Sequence, residues 1–212
     1  MEIVYLKNVD STHKFLLKKL SEKKLFAPIA VVSEEQNSGI GTKDREWIGY
    51  KGNLFLSFCI EKSDLPHDLP LGSVSIYYAY ILKEILFKKG SKVWLKWPND
   101  FYLHDKKIGG VLTTIKGKNI ICSIGLNLKK SPNNFQIIDI NIEKDELIEL
   151  YFLKLKQVIF WKYIFRHYKI EFEKSRGYET TINGTKKISL GSAKLQDDGS
   201  ILLENRRVYS LR

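Results

Sequence analysis

The segment Lys96-Trp97-Pro98-Asn99-Asp100, followed shortly by Asp105-Lys106-Lys107-Ile108-Gly109-Gly110, gathers a cation, a carboxylate and an amide around one chain reversal. Pro98 ends an apolar run, so Asn99 and Asp100 stand at its tip, and Lys107 returns at the start of the next run. The paired glycines let a ligand or another backbone approach closely. Such a trio suits a phosphate ester handled together with a metal ion. A turn carrying ordinary polar residues would have the same composition. Other chemistries find no support in the spacing. His13, His67, His104 and His167 form no i,i+4 pair and no HExxH pattern, which argues against a zinc site. Cys59 and Cys122 lie in apolar stretches without CxxC spacing or an activating neighbour, which excludes a disulfide scaffold and leaves thiol catalysis unsupported. No G-x-x-x-x-G-K-[ST] string occurs, so ATP would not be held by a P-loop.

The elements that must position this trio are readable from periodicity. Asp10-Ser11-Thr12-His13 precedes Phe15, Leu16 and Leu20, which predicts an N-cap opening an amphipathic helix. Pro28 to Val32 reads as a buried strand, and a glycine-bearing polar segment runs from Glu34 to Lys51. Asn53 to Phe58 alternates and predicts a strand; Val74 to Leu86 recurs at helical spacing up to Gly90. Val93 to Trp97 predicts a strand, and the runs from Ile108 to Ile115 and Asn119 to Ile124 predict a hairpin about Lys116-Gly117-Lys118. Lys144 to His167 reads as one long helical segment. Beyond Gly177, short β-runs flank Asp197-Asp198-Gly199. The expected fold is α+β with a mixed, largely antiparallel sheet, in two parts: residues 1–176 and a small β-rich unit over 177–212.

Composition narrows the class. The chain has 212 residues, 43% of them hydrophobic, long enough to bury about 70% of its unfolded surface without staples. The net charge is +11, but the lysines are scattered in pairs such as Lys18-Lys19 and Lys129-Lys130. That pattern fits solvated faces, or attraction of an acidic partner or anionic substrate, better than a DNA-binding arm. No signal peptide and no apolar run of about 18 residues occur, so a soluble, cytoplasmic protein without a membrane partner is expected.

The string around Lys107 resembles the Lys-Trp-Pro-Asn-Asp signature, with its following Lys-Ile-x-Gly-Val-Leu-like strand, of biotin–protein ligases. Further matches follow in the same order. Ser11-Thr12 is similar to that family's Ser-Thr pair, with His13 where an Asn usually follows. Gln36-Asn37-Ser38-Gly39-Ile40-Gly41-Thr42-Lys43-Asp44-Arg45-Glu46-Trp47 resembles its Q-x-x-GRGRxGRxW loop, with Ile40 and Thr42 in place of the first two arginines. Gly52 to Ser57 resembles its GNLYLS strand, and Ser123-Ile124-Gly125-Leu126-Asn127 its IGxNxN region, with Lys129 where a second Asn often sits.

The resemblance implies a class II aminoacyl-tRNA synthetase-like catalytic domain followed by a small SH3-like β-barrel. It also implies ATP-dependent formation of biotinyl-5'-AMP, and transfer of biotin to a lysine of a biotin carboxyl carrier protein. ATP and Mg²⁺ would be needed, the ion riding on the phosphates with Asp100 as its one candidate protein ligand. Lys107, Arg45 and Asp100 would serve catalysis. Ser11, Thr12, Gln36, Gly39, Gly41, Trp47, Lys107 and Gly110 would line the biotin site, with apolar walls from Trp47 and the aromatics near Phe55. Arg45, Trp47, Asn99, Asp100, Lys107 and Asn127 would contact the nucleotide. Ser38 to Glu46 would order over the acyl-adenylate as a lid against water, latched less firmly for want of the two arginines. Ligases of this kind can pair through their sheets. The competing readings are a lipoate–protein ligase, whose RRxSGGGTVYHD-like segment is absent, and a DNA-binding repressor. For the latter, the Ser-Thr pair at residues 11–12 leaves no space ahead of it for a domain of about 60 residues.

Overall fold

A computed structural model describes residues 1–41, 46–182 and 186–210. The chain opens with strand β1 (Glu2–Val9), helix α1 (Thr12–Ser21) and strands β2 (Ile29–Ile40), β3 (Glu46–Gly49) and β4 (Leu54–Glu61). Helix α2 (Val74–Lys88) leads to β5 (Trp94–Lys96), β6 (Asp100–Leu103), β7 (Lys106–Lys116) and β8 (Asn119–Leu126). Two helices follow, α3 (Lys144–Leu155) and α4 (Trp161–Glu173). The tail is β9 (Glu179–Ile182), β10 (Lys186–Ser189), β11 (Lys194–Leu195), β12 (Ile201–Leu203) and β13 (Arg206–Val208).

The main sheet runs β1-β2-β4-β8-β7-β6-β5, with β3 also paired to β2. Only β1 and β2 are parallel among its described pairings, so the expected mixed, largely antiparallel sheet is present. Alternation along the strands divides its side chains between two layers. Leu54, Leu56 and Phe58 of β4, with Cys122, Ile124 and Leu126 of β8, join the large core beneath α2, α3 and α4. Cys59, Val31 and Ile121 face the other way, against Leu16 of α1. Both faces of β4 are therefore covered, and every residue from Leu54 to Cys59 is buried, where the sequence suggested simple alternation. Eleven of fifteen α2 residues are buried, as expected of a helix apolar on most sides.

Three elements differ from the sequence reading. Residues 2–9 form the edge strand β1, and its mixed exposure explains why no periodic signal marked it. Residues 144–167 are not one helix. Val158 adopts φ +44°, a conformation costly for a β-branched residue, and Asp68 accepts hydrogen bonds from the Trp161 and Lys162 amides at 2.9 and 3.0 Å, capping a second helix. The strand read over Pro28–Val32 continues to Ile40, because β3 folds back on its outer half. The tail contains a two-stranded and a three-stranded antiparallel sheet. Leu190, Ala193, Ile201 and Leu203 join the large core, and the Trp97 and Trp161 indoles donate to the Gly199 and Asp197 carbonyls at 3.0 and 2.9 Å.

Candidate active site

A register shift in the β6–β7 hairpin creates the charged centre. Asp100 pairs with Gly110 and Phe101 with Gly109, but Tyr102 pairs with Lys107, leaving Ile108 as the extra residue of a bulge. A bulge inverts the in–out alternation beyond it. Ile108 consequently shares the large core with Val111, while Lys107 turns to the same pocket as Gly110. There the Lys107 ammonium lies 2.7 Å from the Asp100 carboxylate, both about three-quarters buried. A Cβ on Gly110 would sit 3.0 Å from Asp100 Oδ1 and 3.6 Å from Lys107 Nζ, so glycine keeps the pair open to the pocket.

The opposite wall is polar but uncharged. Ser11 caps α1 and is buried, its Oγ accepting from the Lys14 amide at 3.4 Å. Gln36 Oε1 accepts from both the amide and the hydroxyl of Thr12, at 2.8 and 3.0 Å. The Ser57 hydroxyl donates to Thr12 Oγ1 at 2.8 Å and contacts Ser123 Oγ at 2.7 Å; Ser57 and Ser123 are direct register partners in β4 and β8. Ser123 in turn meets His13 Nδ1 at 2.7 Å, and Thr114 meets His13 Nε2 at 3.1 Å. Burial pushes the His13 imidazole down to about 4, so it is neutral at pH 7.

Trp47 divides the region into three connected clefts. The first is a narrow cleft lined by Ser11, Thr12, Gln36, Trp47, Lys107 and Ser123 among others. The second runs from Lys107 and Asp100 past Asn99 and Tyr102 toward Glu179 and Thr180 of the tail. The third holds Ile48, Tyr50, Asn127 and Phe135. The indole lies on Gly125, whose Cβ would come within 2.9 Å of it, and packs edge-on to Phe135 with centroids 5.7 Å apart. Lys107 Nζ stands 5.8 Å from the centre of the same ring. The buried Trp47 Nε1–H has no hydrogen-bond partner among the described residues.

Residues 5–130 match the model of the biotin/lipoate A/B protein ligase family. The chain belongs to that family. It is 33% identical over 133 residues to the bifunctional ligase/repressor BirA of Escherichia coli, covering 59% of this chain and 40% of that protein. Biotin–protein ligase 2 of Arabidopsis thaliana is 33% identical over 135 residues, covering 59% and 40%. The chain thus spans about two fifths of the length of the curated relatives it matches. Its fold is similar to that of biotin acetyl coenzyme A carboxylase synthetase from Helicobacter pylori, solved with bound biotinylated ATP: TM-score 0.94, 35% identity, 98% of this chain and 99% of that one. Biotin protein ligase from Aquifex aeolicus shares the fold at TM-score 0.68 and 21% identity, covering 100% and 96%.

The family motifs converge unevenly on these clefts. Ser11, Thr12, Gln36, Gly41, Trp47, Asp100, Lys107 and Gly110 share the first. Gly39 lies behind it, where a Cβ would come 2.5 Å from the Trp47 carbonyl. Asn99 borders the second, yet is buried and donates its amide to the Val111 carbonyl, so its side chain braces the β6–β7 turn. Asn127 borders the third, with its amide donating to the Gln136 carbonyl at 3.3 Å and its oxygen accepting from Asn53 at 3.3 Å. Phe55 is buried and lines none of the three. Ser38, Gly39 and Ile40 belong to β2 and Glu46 opens β3, whereas Thr42, Lys43, Asp44 and Arg45, the middle of the expected lid, lie outside the described residues. The sequence reading gave no site role to His13, Ser57, Ser123 and Gly125, although they fall within its motifs, and did not single out Phe135. A serine inside each of the apolar runs Leu54–Cys59 and Ile120–Ile124 was the available signal for two of them.

Proposed function

We propose that this chain activates biotin with ATP and transfers it to a lysine of a carrier domain. The observation that carries the reading is Lys107, the one Lys or Arg on the first cleft among the described residues, seated where the first and second clefts meet. In the first step a carboxylate oxygen of biotin attacks the α-phosphorus. The bond to the β-phosphate bridging oxygen breaks, and pyrophosphate leaves. Two anions must meet, and the Lys107 ammonium stabilises the charge that accumulates. In the second step the carrier lysine, as free amine, attacks the acyl carbon; AMP leaves and the amine loses a proton. Asp100, beside Lys107 and the one carboxylate on the first cleft among the described residues, would receive that proton. Arg45 would add a second cation to the phosphates, and Gly39 and Gly41 a backbone cradle.

Ser11, Thr12 and Gln36 offer neutral hydrogen bonds to an uncharged cyclic urea. A lipoyl dithiolane would leave those groups unpaired, which favours biotin within a family named for both acids. Trp47 would form the wall between acyl chain and adenine, with Asn127 on the adenine side. Asn99 would hold Asp100 in place. Mg²⁺ would arrive on the triphosphate. Among the described residues no group of three His, Cys, Asp or Glu side chains could hold an ion, and Asp100 is already paired. That donor set fits an ion carried by phosphate oxygens and water with at most one carboxylate. Residues 177–210 border the second cleft through Glu179 and Thr180, and we assign this C-terminal unit, SH3-like in design, to the acceptor side. The test is mass spectrometry of a biotin carboxyl carrier domain incubated with the protein, Mg²⁺, ATP and biotin. One biotinyl mass on one lysine is expected; an unmodified domain overturns the reading.

A further inference from the structure

The hydroxyl chain behind the first cleft has a direction that can be worked out. Five close contacts link Thr114, His13, Ser123, Ser57, Thr12 and Gln36 in that order. Neutral His13, with the hydroxyls of Thr114, Ser123, Ser57 and Thr12, supplies one hydrogen each, five for five contacts. One end is pinned. A backbone N–H can only donate, so the Gln36 atom 2.8 Å from the Thr12 amide is the oxygen. Thr12 therefore donates to Gln36, Ser57 to Thr12 and Ser123 to Ser57. Ser123 then has no hydrogen left for His13, so Nδ1 must carry the proton and Nε2 must accept from Thr114. The opposite tautomer would reverse every link and leave the Thr12 and Gln36 oxygens 3.0 Å apart with no hydrogen between them.

We propose that His13 is a positioning residue, whose neutral Nδ1–H tautomer locks this one-way chain so that the Gln36 carbonyl is consumed internally and the first cleft meets its ligand with donors. Those donors are the Gln36 amide hydrogens and the Ser11 hydroxyl, whose oxygen is already engaged as N-cap. The cleft thereby selects a ligand whose buried edge is a carbonyl acceptor flanked by N–H groups, for which Thr12 and Ser123 retain spare lone pairs. The His13 ring is well placed to hold this polarity. It is buried, it touches hydroxyls on both nitrogens, and burial keeps it neutral across the working pH range. The choice of ligand rests on the biotin reading; the tautomer does not.

Two measurements test it. In ¹⁵N-labelled protein at pH 7, long-range ¹H–¹⁵N correlations should place the His13 proton on Nδ1, the less common tautomer in water. A proton on Nε2, or an imidazolium, overturns the proposal whatever the ligand is. Second, His13→Leu should raise the KM for biotin about tenfold or more while that for ATP changes less than about threefold, because a buried acceptor loses its donor. His13→Asn, whose amide nitrogen can stand where Nδ1 stood, should restore most of the biotin affinity. Equal losses for both substrates, or no rescue by Asn, would refute positioning. If calorimetry shows no biotin binding by the wild-type protein, the function is misread, and the tautomer alone still decides the chain.

Discussion

Acidification offers a quantitative check on the buried imidazole. His13 titrates at about 4 in the folded protein because burial penalises its charged form, whereas an unfolded histidine titrates near 6.5. Between those values the unfolded chain holds the extra proton, so stability falls as pH drops through that window and is complete above it. The size follows from the two values: at pH 5 this one group removes about 2 kcal/mol relative to pH 7.5. Carboxylates contribute their own slope, so the readout is a difference. Urea unfolding is followed at both pH values for the wild type and for His13→Asn, which has nothing to titrate at this position. With a slope of about 2 kcal/mol per molar, the wild-type midpoint should fall about 1 M further than that of the variant. Parallel shifts, agreeing within about 0.2 M, would show that the ring is solvated or already charged and would remove the physical basis for its fixed tautomer.

Lys107→Ala should retain the fold but slow biotinyl-adenylate formation at least about 100-fold in single-turnover experiments, the usual loss for a transition-state charge contact. Gly125→Ala drives a methyl to within 2.9 Å of the Trp47 indole; we expect weaker binding of both biotin and ATP, by about 1–3 kcal/mol combined, and a changed tryptophan emission. Glu171 is buried and holds Lys83 and Lys174, each at 2.9 Å, so Glu171→Gln should cost about 3 kcal/mol in denaturant unfolding and leave both KM values unchanged.

The parts of this molecule that show through its sequence are those in which one residue carries its own signal. Lys107, Asp100, Ser11 and Trp47 are such residues, as are the apolar period of α2 and the turn at Gly117. What stays hidden depends on partners far apart in the chain. The motif singles out Lys107, but the bulge at Ile108 that turns it toward the cleft is a matter of register between β6 and β7, which no local pattern announces. Asn99 and Asn127 look like ligand-binding amides, yet each spends hydrogen bonds on a neighbouring carbonyl, of Val111 and Gln136 respectively. His13 reads as one more residue on the inner face of α1 until Ser123, 110 positions away, is placed beside it. The break between α3 and α4 is likewise set by Asp68, some 90 residues upstream.

On the proposed function this cleft joins biotin to the α-phosphate of ATP before any carrier protein is present. Exchange of labelled pyrophosphate into ATP, measured with biotin, with lipoate and with neither, tests it most directly. Biotin-dependent exchange that lipoate does not support is the predicted result. Exchange driven by lipoate, or none with either acid, would contradict the account.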